Sequence, residues 1–121
     1  MFIETNANPY NKHIDDCVIR AITLATGNDY FDVMDDLIYI ADEHGWDIDD
    51  VSTMWNYLYS IGWKPKYPKK NFTVKKYSQE HLEPSILLVN GHATFTKDGN
   101  VYDTWNCNRY RVKWIFQKSN S

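Results

Sequence analysis

Apolar residues recur at helical spacing through the first half of the chain, and at shorter, strand-like spacing through much of the second. Cys17, Val18, Ala21, Ile22 and Ala25 share one helix face. They predict a helix that opens at Cys17, with Asp15 or Asp16 as N-cap and Gly27 as a left-handed stop. A second stripe, Tyr30, Val33, Met34, Leu37, Ile38 and Ala41, predicts a helix from about Tyr30 to Glu43, with aspartates outward and Gly45 closing it. A third, with Val51, Met54, Trp55, Leu58 and Ile61, predicts a helix from Asp50 to Ile61 that ends at Gly62. The helical part thus spans 17–62, after an irregular, polar segment at 1–13. Beyond it the period changes. Pro65 and Pro68 make 63–81 a linker, with one short helix from Val74 to His81 capped by Thr73. "SILLV", Ser85 to Val89, reads as a buried strand. "HATFTKDGNVYDTW", His92 to Trp105, reads as a hairpin turning at Asp98-Gly99. "YRVKWIF", Tyr110 to Phe116, alternates as a half-buried strand does. Helices followed by antiparallel strands over 85–116 predict a single α+β domain across 1–121.

Length and composition narrow the picture. A chain of 121 residues with 43% apolar content is large enough for one core. No apolar run is long enough to span a bilayer, and "MFIETNANPYNKH" lacks the charged start and apolar block of a secretory signal. The two cysteines, Cys17 and Cys107, are too few for a disulfide framework or a four-cysteine zinc site. A cytoplasmic protein is the expectation, with Cys107 a spectator and a Cys17–Cys107 bridge disfavoured. The net charge of −3 conceals two halves: 2 basic and 12 acidic residues in 1–60, then 11 basic and 4 acidic in 61–121. Lys64, Lys66, Lys69, Lys70, Lys75 and Lys76 concentrate the basic charge, with Tyr67 and Phe72 among them. They match no nucleic-acid motif, so nucleic acid is not the expected partner. The spacing of His13, His44, His81 and His92 fits no zinc motif, and neither a metal nor a cofactor is expected. His13 is read as a surface residue.

The chemistry-bearing residues converge through the hairpin. A two-residue turn at Asp98-Gly99 pairs Lys97 with Asn100, sets His92 opposite Trp105, and sets Asp103 opposite Thr94. His92 and Asp103 then share a face as diagonal neighbours. A register shifted by one residue would offer Asn106 instead. A cysteine at a helix start suits nucleophilic chemistry, because the helix dipole and terminal N–H groups stabilise a thiolate. A histidine can pair with that thiolate, and a carboxylate can orient the histidine.

The order cysteine at a helix start, histidine at a strand start, carboxylate on the next strand resembles the papain-like cysteine proteases. "GHA" before a strand, and "DTW" after it, resemble the histidine and "NSW" segments of that family. "DDCVIRAI", "TMW", "TVKKYSQEH" and "GHATFTKDGNVYDTW" resemble small papain-like proteins of bacteria and their phages, over roughly residues 9 to 116. The resemblance implies a papain-like fold, with N-terminal helices packed on a small antiparallel sheet, in a bacterial cytoplasm or in the host cytoplasm if phage-encoded. It assigns Cys17 as nucleophile, His92 as acid and base, Asp103 as orienting group, and Trp105 as the shield over their hydrogen bond. It assigns the Cys17 N–H and Asn11 to the oxyanion, Asp16 to capping, and Arg20 to a structural salt bridge. The implied activity is a thiol hydrolase, a cysteine peptidase or amidase, acting on a protein or peptide through a thioester. The alternative is a binding or inhibitor protein on the same scaffold that blocks a host protein or nucleic-acid factor. An open cleft at Cys17 favours the first, a filled one the second. The lysine stretch is expected along one rim of that cleft.

Overall fold

The computed structural model describes residues 1–12 and 15–119. Among these the fold is α+β, with four helices and one six-stranded mixed sheet. The helices are α1 (Cys17–Thr26), α2 (Tyr30–His44), α3 (Val51–Ser60) and α4 (Val74–Glu80). The strands are β1 (Phe2–Glu4), β2 (Trp63–Lys66), β3 (Ser85–Val89), β4 (His92–Lys97), β5 (Asn100–Asp103) and β6 (Trp114–Lys118), in the order β1-β5-β4-β3-β6-β2.

Local chemistry sets the boundaries. The Asp29 carboxylate accepts from the Phe31 and Asp32 N–H groups and starts α2; Asp50 caps α3 on Ser52, and Thr73 caps α4 on Lys76. Gly27 and Gly45 take the left-handed conformation that closes α1 and α2. Asp16 departs from the pattern. It holds the N-cap position of α1, yet its side chain makes no capping bond.

Burial on both faces of β3 explains its unbroken apolar run. Ile86 joins Ile22, Val33, Leu37, Met54, Leu58, Phe95 and Phe116 in the core under α1–α3. Leu87 and Val89 point the other way and pack with Phe72, Val74, Tyr77, Val101, Cys107 and Ile115, around α4. The sheet is therefore covered on both sides, with β3 near its middle.

Three features differ from the sequence expectation. The segment 1–13 is not wholly irregular: β1 pairs in parallel with β5, which makes the sheet mixed, not antiparallel. Three residues are too few to show a period. The start of the 63–81 linker is a strand, β2, paired with β6. Pro65 is tolerated because β2 is an outer strand, where a missing N–H breaks no ladder on the open side. The last strand begins at Trp114, not Tyr110, and runs to Lys118. Its expected first residues pair elsewhere, Arg111 in a bridge to Thr73 and the Val112 N–H on the Phe72 carbonyl.

The β4–β5 hairpin has the expected register: Lys97 pairs with Asn100, Thr96 with Val101, and Phe95 with Tyr102. Asp98 (φ 55°) and Gly99 (φ 84°) both adopt positive φ, the signature of a type I′ turn. A Cβ at Gly99 would meet Leu82 at an ordinary 3.7 Å, so the constraint is the backbone, not space. Gly99→Val should lower stability by about 1–2 kcal/mol, the cost of a side chain in the left-handed region. Urea titration checks this; an unchanged midpoint would mean that the turn does not hold the hairpin register.

Candidate active site

Cys17 is the first residue of α1, His92 the first of β4, and Asp103 the last of β5. The hairpin register brings the last two together. His92 Nε2 lies 2.6 Å from Asp103 Oδ2, both residues being buried. The Thr104 N–H donates to Asp103 Oδ1 at 2.7 Å, and the Arg20 guanidinium stands 3.7 Å from that same oxygen. Trp105 packs against His92 at a tilt, its ring centroid 4.6 Å from that of the imidazole, and is itself backed by Tyr110. Asn106, the residue of the alternative register, is exposed and accepts a bond from the Asn108 N–H instead.

Electrostatics follow from this packing. Burial works against a charged imidazole. The Asp103 hydrogen bond, the Cys107 and Cys17 sulfurs beside the ring, and the Asp103 charge outweigh it, and push His92 up to about 11. Burial would likewise raise the Asp103 carboxyl, but its bonds to His92 and the Thr104 N–H hold it below the ordinary carboxylate range. Nε2 is committed to Asp103, which leaves Nδ1 as the ring nitrogen available to a reacting group.

Cys17 is half-buried and lines a cleft of about 540 Å³. The walls come from the start of α1, from the α2–α3 connection with Ile48 and Asp49, from Met54 of α3, from the β3–β4 turn up to His92, and from Trp114. The cleft is open beside the sulfur, not filled by the protein's own side chains. Among the described residues, the lysine that lines it is Lys113, and none of the lysine stretch does. Lys64 and Lys66 sit on the outer strand β2, and Lys70 and Lys76 pair with Glu80. That stretch reaches the cleft through Tyr67, which stacks on Trp114 at 3.9 Å.

Several side chains depart from their expected roles. Asn11 is exposed, has a φ of 54°, and does not line the cleft. Asp16 is not a cap: its carboxylate accepts from Tyr30 Oη at 2.7 Å, from Asn8 Nδ2 at 3.1 Å and from Arg20. Burial first, and then the hydrogen bond to Asp16 and its charge, push the Tyr30 hydroxyl up to about 12. Arg20 does form the expected salt bridge, and bridges two carboxylates, Asp16 and Asp103. Cys107, expected to be a spectator, is fully buried with its thiol 3.6 Å from Asp103 Oδ2. The four residues after Asp103 carry no period, so nothing in the pattern pointed there. His13 lies outside the described residues.

Among the described residues, His92, Asp103 and Cys107 place a nitrogen, an oxygen and a sulfur within 4.8 Å of one another. Such a donor set suits a borderline cation such as zinc. The direct 2.6 Å bond between His92 and Asp103 leaves no space for an ion between them, and the Arg20 charge stands at the other carboxylate oxygen. The group is better suited to hold a proton than a metal.

No family model, curated protein or solved structure matches this chain. The geometry of Cys17, His92 and Asp103 is therefore what bears on function. No helix among the described residues is long and apolar enough to cross a membrane.

The buried pair links stability to pH with a definite sign. His92 is held above its unfolded value, so its contribution is complete below about pH 6.5 and is lost as pH rises toward about 11. Asp103 is held below its ordinary value, so its contribution is present above about pH 4 and is lost as pH falls further. The excess stability of the native chain over His92→Gln should peak between these limits and shrink steadily into the alkaline range. Paired urea titrations across pH measure it, and a pH-independent excess would contradict the assignment.

Proposed function

We propose that the protein is a thiol hydrolase of the cysteine peptidase or amidase type, on a papain-like scaffold, with Cys17, His92 and Asp103 as its catalytic set. The observation that carries the reading is the buried His92–Asp103 bond standing beside a cysteine that opens a helix and lines an open cleft. The open cleft favours this over a purely binding role. The α+β order, with a helix-borne cysteine facing a strand-borne histidine, is consistent with the papain-like resemblance.

In the proposed reaction the Cys17 sulfur attacks the carbonyl carbon of an amide. The carbonyl electrons move to oxygen, near the Cys17 N–H at the start of α1. Collapse breaks the carbon–nitrogen bond, and imidazolium His92 gives its proton to the departing amine. A thioester remains on Cys17. Water attacks it, His92 takes a proton from that water, and the carbon–sulfur bond breaks to release the acid and restore the thiolate–imidazolium pair. Asp103 keeps the ring oriented and offsets its charge throughout.

Iodoacetamide should alkylate Cys17 about tenfold or more faster than buried Cys107 near pH 6, a condition under which an unperturbed thiol is mostly protonated. His92→Ala should remove most of that advantage, Asp103→Asn part of it, and Asn106→Ala none. Peptide mass spectrometry of the labelled chain reads each site. Equal, slow labelling of both cysteines, or an unaltered rate in His92→Ala, would sink the proposal.

A further inference from the structure

A buried chain of side chains runs from the Cys17 helix to the Asp103 strand. Asn8 and Tyr30 hydrogen-bond Asp16, Asp16 binds Arg20, Arg20 reaches Asp103, and Asp103 binds His92. Arg20 and Asp103 are both almost wholly buried, with 7% and 3% of their side chains exposed. Arg20 lies one turn after Cys17 on α1 and enters the crevice between α1 and the sheet, beside Ala93, Thr94 and Tyr102. Its planar fork presents several donors in fixed directions, which suits it to two carboxylates at once.

The two oxygens of Asp103 are divided. Oδ2 takes His92 and the Cys107 thiol, while Oδ1 takes the Thr104 N–H and faces Arg20. A carboxylate turns about its last side-chain bond, so whatever holds Oδ1 also decides where Oδ2 points. We infer that Arg20 is a positioning residue for the proposed catalytic set: it holds Asp103 from behind so that Oδ2 faces the imidazole, and locks the strand carrying Asp103 to the helix carrying Cys17. Asp16, fixed by Tyr30 and Asn8, is the anchor from which Arg20 acts. This inference rests on the hydrolase reading, since it assigns Arg20 no chemistry of its own.

The experiment follows Cys17 alkylation by iodoacetamide in the full-length chain across pH, with folding monitored by circular dichroism and thermal melting. Arg20→Met removes the fork but keeps much of the stem. It should slow the His92-dependent part of the rate near pH 6 by about threefold, no more than Asp103→Asn does, and flatten the pH profile. Arg20→Lys keeps a buried cation, but a single ammonium cannot span both carboxylates. It should fold and fall between Arg20→Met and the native chain. Because Arg20 acts through Asp103, Arg20→Met combined with Asp103→Asn should be no slower than Asp103→Asn alone. Should Arg20→Met fail to fold, Arg20→Lys and its combination with Asp103→Asn carry the same comparison. A folded Arg20 variant with lowered melting temperature but native rate and pH profile would overturn the inference, as would losses that multiply in the double variant. A His92→Ala arm separates the two claims. If His92→Ala labels like the native chain, the hydrolase reading fails; if it loses reactivity while Arg20→Lys and Arg20→Met do not, Arg20 alone is misassigned.

Discussion

The structure depends on how it neutralises the Asp103 carboxylate, which is 4% exposed at the end of β5. Taking a carboxylate out of water costs several kcal/mol unless charge and hydrogen bonds replace the lost solvation. Asp103 obtains that replacement from four directions: the imidazole of His92, the Thr104 N–H, the Cys107 thiol and the Arg20 guanidinium. Each comes from a different part of the chain or a different step along it. The β4–β5 hairpin supplies His92, α1 supplies Arg20, and the turn after β5 supplies the other two. The compensation of one charge thus specifies how helix, hairpin and loop must meet.

Charge balance explains why the histidine holds its proton. Asp16, Arg20, His92 and Asp103 are all buried and joined in sequence by ion pairs. Two carboxylates and one guanidinium leave a single negative charge inside the protein. A protonated imidazole cancels it, and a neutral one does not. The raised affinity of His92 for its proton works against burial and comes from its hydrogen bond to Asp103, the neighbouring Cys107 and Cys17 sulfurs and the Asp103 charge. A stored proton beside a half-buried sulfur that lines an open cleft also suits the proposed amide cleavage, because the leaving amine must be protonated as the bond breaks.

Much of this was legible in the sequence where a local rule decides the outcome. Gly27 and Gly45 end helices because only a residue free to adopt positive φ closes them so. Asp98-Gly99 decides the hairpin register, and with it the meeting of His92 and Asp103, a partnership eleven residues apart. "SILLV" announces burial on both faces. Tertiary compensation was not legible. Asp16 looks like a cap by position and residue type, and only the fold puts Tyr30, Asn8 and Arg20 around it. Cys107 lies in an aperiodic turn whose path is decided by packing around α4. β1 and β2 are short, and prolines and lysines disguise β2, because an outer strand needs neither a full ladder nor two apolar faces. Position at the helix-to-sheet junction and the papain-like resemblance put the lysines on the cleft rim, whereas β2 carries Lys64 and Lys66 to the far edge of the sheet.

The central claim is that the buried Asp103 carboxylate keeps His92 as an imidazolium through neutral pH. Nitrogen-15 chemical shifts of the His92 ring, followed by NMR across pH in the full chain, report this directly. Both ring nitrogens should remain protonated well above the ordinary histidine value of about 6.5, and the ring should revert toward ordinary titration in Asp103→Asn. A native ring that loses its proton near about 6.5, indifferent to Asp103, would contradict the account.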